Sequence, residues 1–168
     1  MSLAADLLEQ ALHLATRETN RPRQASLRRA VSAAYYSLFH LVIDDAMKQL
    51  IAVPRFRSAV ARSIDHKDVR KAAAALLAAA RNPQPNQKIV ALLVRPLEPA
   101  LVDFCSAFVD LQDRRHEADY DVTAVFTRSQ VLSFLSVVQA AHAAWKEERA
   151  TDNAAAFLLA AAGMLSDR

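Results

Sequence analysis

The residues best suited to chemistry lie in one run, Arg114-Arg115-His116-Glu117-Ala118-Asp119-Tyr120-Asp121. It brings two guanidinium groups, an imidazole, a phenol and three carboxylates together. The preceding residues Leu101, Phe104, Cys105 and Phe108 have the spacing of an apolar helix seam, and that seam continues through Gln112, Arg115 and Asp119. The buried stripe therefore turns polar in its last two turns. Arg115 and Asp119 are four apart and can pair, although base before acid is the weaker order in an isolated helix. Acidic groups at a helix C-terminus also oppose the macrodipole. Each penalty is only about a few tenths of a kcal/mol, but local helix stability does not account for the run. Groups across the bundle, or across a subunit interface, must hold Arg115 and Asp119. Two explanations stand: a structural polar network between helices, with Tyr120 bonded to a backbone group, or a ligand site where a desolvated arginine meets phosphate.

A second ordered set lies upstream. At about 100° per residue, Leu27, Val31, Ala34, Leu38 and Val42 share one stripe of a long helix and read as core. Nearly opposite lie Arg29, Ser32, Tyr36 and His40. They offer a cation, a hydroxyl, a stacking ring and a group that titrates near neutral pH. Tyr36 and His40 could equally cover a neighbouring helix and satisfy their polar tips there.

The elements that must position these residues are helices. The sequence has one glycine, Gly163, and 53% hydrophobic residues, much of the excess being alanine. So little glycine excludes a sheet fold rich in turns and a Gly-rich phosphate loop. Prolines 22, 54, 83, 85, 96 and 99 mark helix starts and stops. The expected helices run from Ala4 to Arg17, from Arg23 to about Ile51, briefly after Pro54, from an Asp65 N-cap to about Ala80, and from Glu98-Pro99 to about Ala118. Asn82–Arg95, with its Pro-Gln-Pro-Asn, reads as loop. Thr127-Arg128-Ser129-Gln130 is a capping box opening a helix to about Arg149. Asp152-Asn153 can cap a last apolar helix over Ala154–Leu165. The predicted fold is all-α: an antiparallel bundle of four to five helices over residues 1–150, with 151–168 adding a C-terminal helix that packs on the bundle or on a second subunit.

Charge and cysteine usage bound the partners. Net charge is +3, concentrated in two basic stretches, Arg17–Arg29 and Arg55–Lys71. These are solvated helix faces or, taken together, a patch that tracks phosphates. A lone cysteine, Cys105, fits a reducing cytoplasm. No signal peptide and no membrane span are expected. No cofactor or metal is expected either: the histidines form no His-x-x-x-His pair, and one cysteine cannot build a thiolate zinc site.

Two motifs carry a family resemblance. Ser32-Ala33-Ala34-Tyr35-Tyr36-Ser37-Leu38-Phe39-His40 is similar to the second-helix signature of small bacterial members of the HEPN superfamily, and Arg115-His116-Glu117-Ala118-Asp119-Tyr120-Asp121 resembles their R-x-x-A-D-Y-D motif. His66 resembles the histidine commonly found between them. Order and spacing agree from about Ser26 to Trp145. The resemblance implies a bundle of four or five helices, usually a homodimer. It also implies RNA- or nucleotide-binding chemistry, with a metal-independent ribonuclease site in the nuclease members, and an association with a nucleotidyltransferase-type partner in toxin–antitoxin or defence systems. Arg115 and His116 match the arginine of that site and its polar neighbour. Tyr120 occupies the slot of the terminal histidine, and a phenol is a poor general base at neutral pH. On this reading the catalytic candidates are Arg115, His116 and Tyr120. Arg29, Ser32, Tyr36, His40, Arg114 and Asp119 line the binding groove, with Asp119 orienting Arg115. The competing reading is a non-catalytic dimeric interaction module in which the polar seam is structural.

Overall fold

The computed structural model describes residues 2–82 and 88–165. Its elements are α1 (Leu3–Thr16), α2 (Gln24–Leu50), α3 (Pro54–Ala61), α4 (His66–Arg81), a 3-10 turn (Val90–Leu92), α5 (Pro99–Tyr120), α6 (Arg128–Glu148) and α7 (Asp152–Ala161). There is no strand among the described residues. The Pro-Gln-Pro-Asn segment expected as loop lies outside them.

The helix starts follow side-chain chemistry. Asp65 accepts from the Lys67 backbone N–H, and Thr127 with Gln130 forms the reciprocal capping box. The cap of α7 differs from expectation: Thr151, not Asp152 or Asn153, accepts from the Ala154 N–H at 3.2 Å. Asn153 is instead buried. It accepts from the Val94 N–H at 2.7 Å and donates to Val94 O and to Glu98, tying the segment before α5 to α7. The last helix also stops four residues early, at Ala161. Gly163 adopts φ +73°, and the Met164 N–H turns back to Leu159 O at 3.0 Å. This is a Schellman end, and the left-handed geometry it needs explains why the chain's one glycine is here.

The core sits where α1, α2, α5 and α6 meet. Leu27, Val31, Ala34, Leu38 and Val42 are fully buried, as the apolar stripe of α2 predicts. Ala4, Ala11 and Ala15 of α1 and Ala30, Ala33 and Ala34 of α2 are also buried, and small side chains let these two helices approach closely. Bonds from Ser37 to Ala4 O and from Ser32 to Asp119 set α1 and α5 antiparallel to α2. α6 runs parallel to α2, with Gln24 bracing Phe126 at one end and Asp45 meeting Trp145 at the other. Along α5, Leu101, Phe104, Cys105 and Phe108 fill the core. Phe104 packs on Trp145 and Phe157, so α7 closes the bundle of its own chain. No helix among the described residues is long and apolar enough to cross a membrane.

Candidate functional site

What holds the polar end of α5 is α2. The last carbonyls of a helix lack intrahelical partners, and Arg28 reaches across to supply donors. Its Nη1 donates to Ala118 O at 3.0 Å, and its Nη2 donates to Asp121 O at 2.8 Å and Ala124 O at 2.6 Å. A cation at this C-terminus offsets the cost of the acidic residues there. One turn on, Ser32 donates from Oγ to Asp119 Oδ1 at 2.5 Å. One turn further, Tyr36 Oη accepts from Arg115 Nη2 at 3.0 Å. Three successive turns of α2 thus grip the last turns of α5.

Arg115 and Asp119 are both half-buried, and Arg115 Nε lies 2.7 Å from Asp119 Oδ2. The Nε hydrogen points past that oxygen and finds no acceptor, so the contact is ionic rather than an aligned hydrogen bond. The guanidinium sits between two tyrosine rings, with Cζ 5.5 Å from the Tyr36 centroid and 5.4 Å from that of Tyr120. Both are cation–π distances. Desolvation lowers the Arg115 pKa, but the neighbouring Tyr36 and Asp119 outweigh it and hold the group firmly cationic. Nη1 and one hydrogen of Nη2 have no acceptor among the described residues. The arginine is therefore fixed in place with donors to spare, the state of a guanidinium that can bind an anion.

A second layer joins from α4. His66 Nδ1 lies 2.8 Å from the Tyr35 hydroxyl; its ring packs 3.9 Å from Phe39 and meets Tyr36 edge-on at 5.5 Å. Burial lowers the His66 pKa, nearby Arg115 and His40 lower it further, and Asp65 opposes them. Burial alone lowers that of His40. Burial is the largest cause raising that of Tyr35; Tyr36 and Asp65 add to it, and Arg115 and Arg70 oppose it. The site therefore holds neutral imidazoles beside a permanent cation.

The sequence candidates divide. Ser32, Tyr36, Arg115, Asp119 and Tyr120 come together, Tyr120 as a 62% exposed cover on the guanidinium. Arg29 and His40 flank this centre along α2. Arg29, Ser32 and Tyr36 line a groove of about 360 Å³ against α1, and His40 lines a second groove of about 570 Å³ further along. Tyr36 and His40, with centroids 6.4 Å apart, link the two. The two basic stretches each lend one residue to this trough, Arg29 and Arg57. Arg114 is not brought in: it pairs with Glu117 at 3.1 Å and lies over Phe134 of α6. His116 is exposed, its ring tilted against that of Tyr120 at 4.9 Å, and it makes no bond to α2. Arg28 and His66 belong to the assembly although neither was among the site candidates. The only signal for His66 was its place in the family pattern, and nothing in the sequence singles out Arg28 among so many arginines.

No protein-family model, no curated protein and no solved structure matches this chain.

Proposed function

We propose that the protein is a HEPN-like RNA- or nucleotide-binding protein, centred on Arg115 as the phosphate-holding residue. One observation carries this reading: Asp119 and Tyr36 fix a half-buried guanidinium whose remaining donors are unspent, beside a trough along α2. A purely structural arginine would spend its donors on the fold. The motif resemblance supports the same reading. It adds the expectation of a homodimer, of a nucleotidyltransferase-type partner in a toxin–antitoxin or defence system, and of a metal-independent ribonuclease that is degenerate because Tyr120 replaces the histidine. The buried lone Cys105 suits a reducing, cytoplasmic setting.

The test is RNA binding and cleavage in EDTA by the wild type and by Arg115→Ala. Losing charge-assisted bonds worth about 1.5–3 kcal/mol weakens binding by at least about tenfold. Unchanged binding in a folded Arg115→Ala protein rejects the site.

A second reading, a non-catalytic dimeric interaction module, is favoured by a different observation. Tyr120 at the end of α5 and Val122 and Val125 in the loop after it are 62%, 90% and 73% exposed beside the site, and apolar side chains grouped at such an edge suit a subunit interface. On that reading Arg115→Ala lowers dimerisation or melting temperature and there is no RNA binding to lose.

A further inference from the structure

The larger groove lies between the start of α1, the second half of α2, and α3. Its floor is apolar, with Ala4 and Met47 buried beneath it and Leu3, Ile43 and Ala61 completing the lining. Its charges nearly cancel, because Lys48 is paired to Asp44 at 2.5 Å. One cation is left over: Arg57 is fixed by donation from its Nε to Ile51 O at 3.0 Å and meets no carboxylate among the described residues. His40 and Ser58 supply donors and acceptors at the edge. A floor of this kind, with a pliable methionine and a few polar groups at one margin, suits a flat heteroaromatic ring better than a chain of phosphates.

The groove is also the right distance from the anion site. Arg115 lies 5.5 Å from the Tyr36 ring and Tyr36 lies 6.4 Å from His40. The His40 ring, which lines the groove, is therefore within about 12 Å of the guanidinium, within reach of the base of one nucleotide whose phosphate bonds Arg115. α3 forms the outer wall; none of its residues is fully buried, and Val60 and Ala61 rest against the edge of the core.

We infer that this groove is a base-binding subsite, which takes the nucleobase of a ribonucleotide whose phosphate rests on Arg115. The inference rests on the reading of Arg115 as a phosphate site. Stacking and edge contacts there make the base, and not only the phosphate, a source of affinity.

Isothermal titration of the full chain with ribose 5-phosphate, AMP and UMP tests it. In the wild type the nucleotides bind at least about tenfold more tightly than ribose 5-phosphate. Ser58→Trp changes an exposed residue on the groove wall. It removes that advantage and leaves ribose 5-phosphate binding unaltered, and Ala61→Phe gives the same result from a second position. Arg115→Ala weakens all three ligands together. The subsite is overturned if nucleotides bind no better than ribose 5-phosphate, or if both filled variants keep the full nucleotide advantage. If ribose 5-phosphate and the nucleotides all fail to bind the wild type, the phosphate reading of Arg115 falls, and the subsite with it.

Discussion

Asp45 on α2 and Asp119 on α5 each hold an arginine and accept from a neutral donor, yet the two networks are built for different ends. Asp45 is 6% exposed; it accepts from Trp145 Nε1 at 2.7 Å, while Arg149 stays outside, 51% exposed, at 3.6 Å. Asp119 and Arg115 share their burial, 18% and 19% exposed, and the hydroxyl partner is Ser32. In the first network the carboxylate is sunk in the core and a rigid indole satisfies it, so the cation is accessory. In the second the cation is held at a groove by groups that leave part of it unbonded. A buried charge whose partners are all spent serves packing, whereas one that keeps donors free beside a cavity is available to a ligand.

Trp145→Ala puts the greatest strain on this contrast. It empties a fully buried site and leaves Asp45 without its donor, so about 3–5 kcal/mol of stability is lost. Urea unfolding reads that loss, and anion affinity measured on the folded fraction stays at the wild-type value. If Trp145→Ala weakens anion binding as much as Arg115→Ala does, the two networks are not separable. Ser32→Ala is milder, because Asp119 keeps Arg115. The expected cost is about 1–2 kcal/mol, with a few-fold drop in anion affinity as the carboxylate loses one of its two anchors. A Ser32→Ala protein that is destabilised but binds normally would move the Asp119 network into the structural class. The smallest effect is on pH. Burial holds the His40, His66 and His142 pKa values below the ordinary imidazole value of 6.5, so the unfolded chain takes up protons that the folded chain refuses. The stability they give is complete above about pH 6.5 and is lost as pH falls through the folded values. Urea midpoints at pH 7.5 and 5.5 show the decline. His66→Gln makes it shallower, and Arg149→Gln does not.

Much of the architecture is legible in the chain because its signals are local. The apolar stripe of α2, the Asp65 and Thr127 caps and the proline boundaries each act within a few residues, and each element forms where they place it. The polar continuation of the α5 seam was also readable, since a carboxylate and a guanidinium on a buried stripe contradict the helix's own preferences. Their partners were not. Whether Arg28 or Arg29 turns toward α5 depends on one residue's rotation around α2, and Arg28 does so while Arg29 faces the α1 groove. Arg114 and Arg115 show the same divergence one position apart, the first turning to Glu117 and α6, the second to Asp119 and α2. The Thr151 cap was missed because threonine, aspartate and asparagine stand side by side there, and only the burial of Asn153 decides among them.

The grip of α2 on α5 also constrains the order in which the protein can be assembled. Tyr36 and Arg115 are 79 positions apart, and Ser32 and Asp119 are 87 apart. The loop between them contains α3, α4 and most of α5, and the entropy of closing it must be met before any of these contacts forms. A growing chain therefore carries Ser32 and Tyr36 long before Arg115 reaches them. On the reading proposed for Arg115, anion binding reports that this long loop has closed, so it serves as a probe of the finished fold rather than of any one helix.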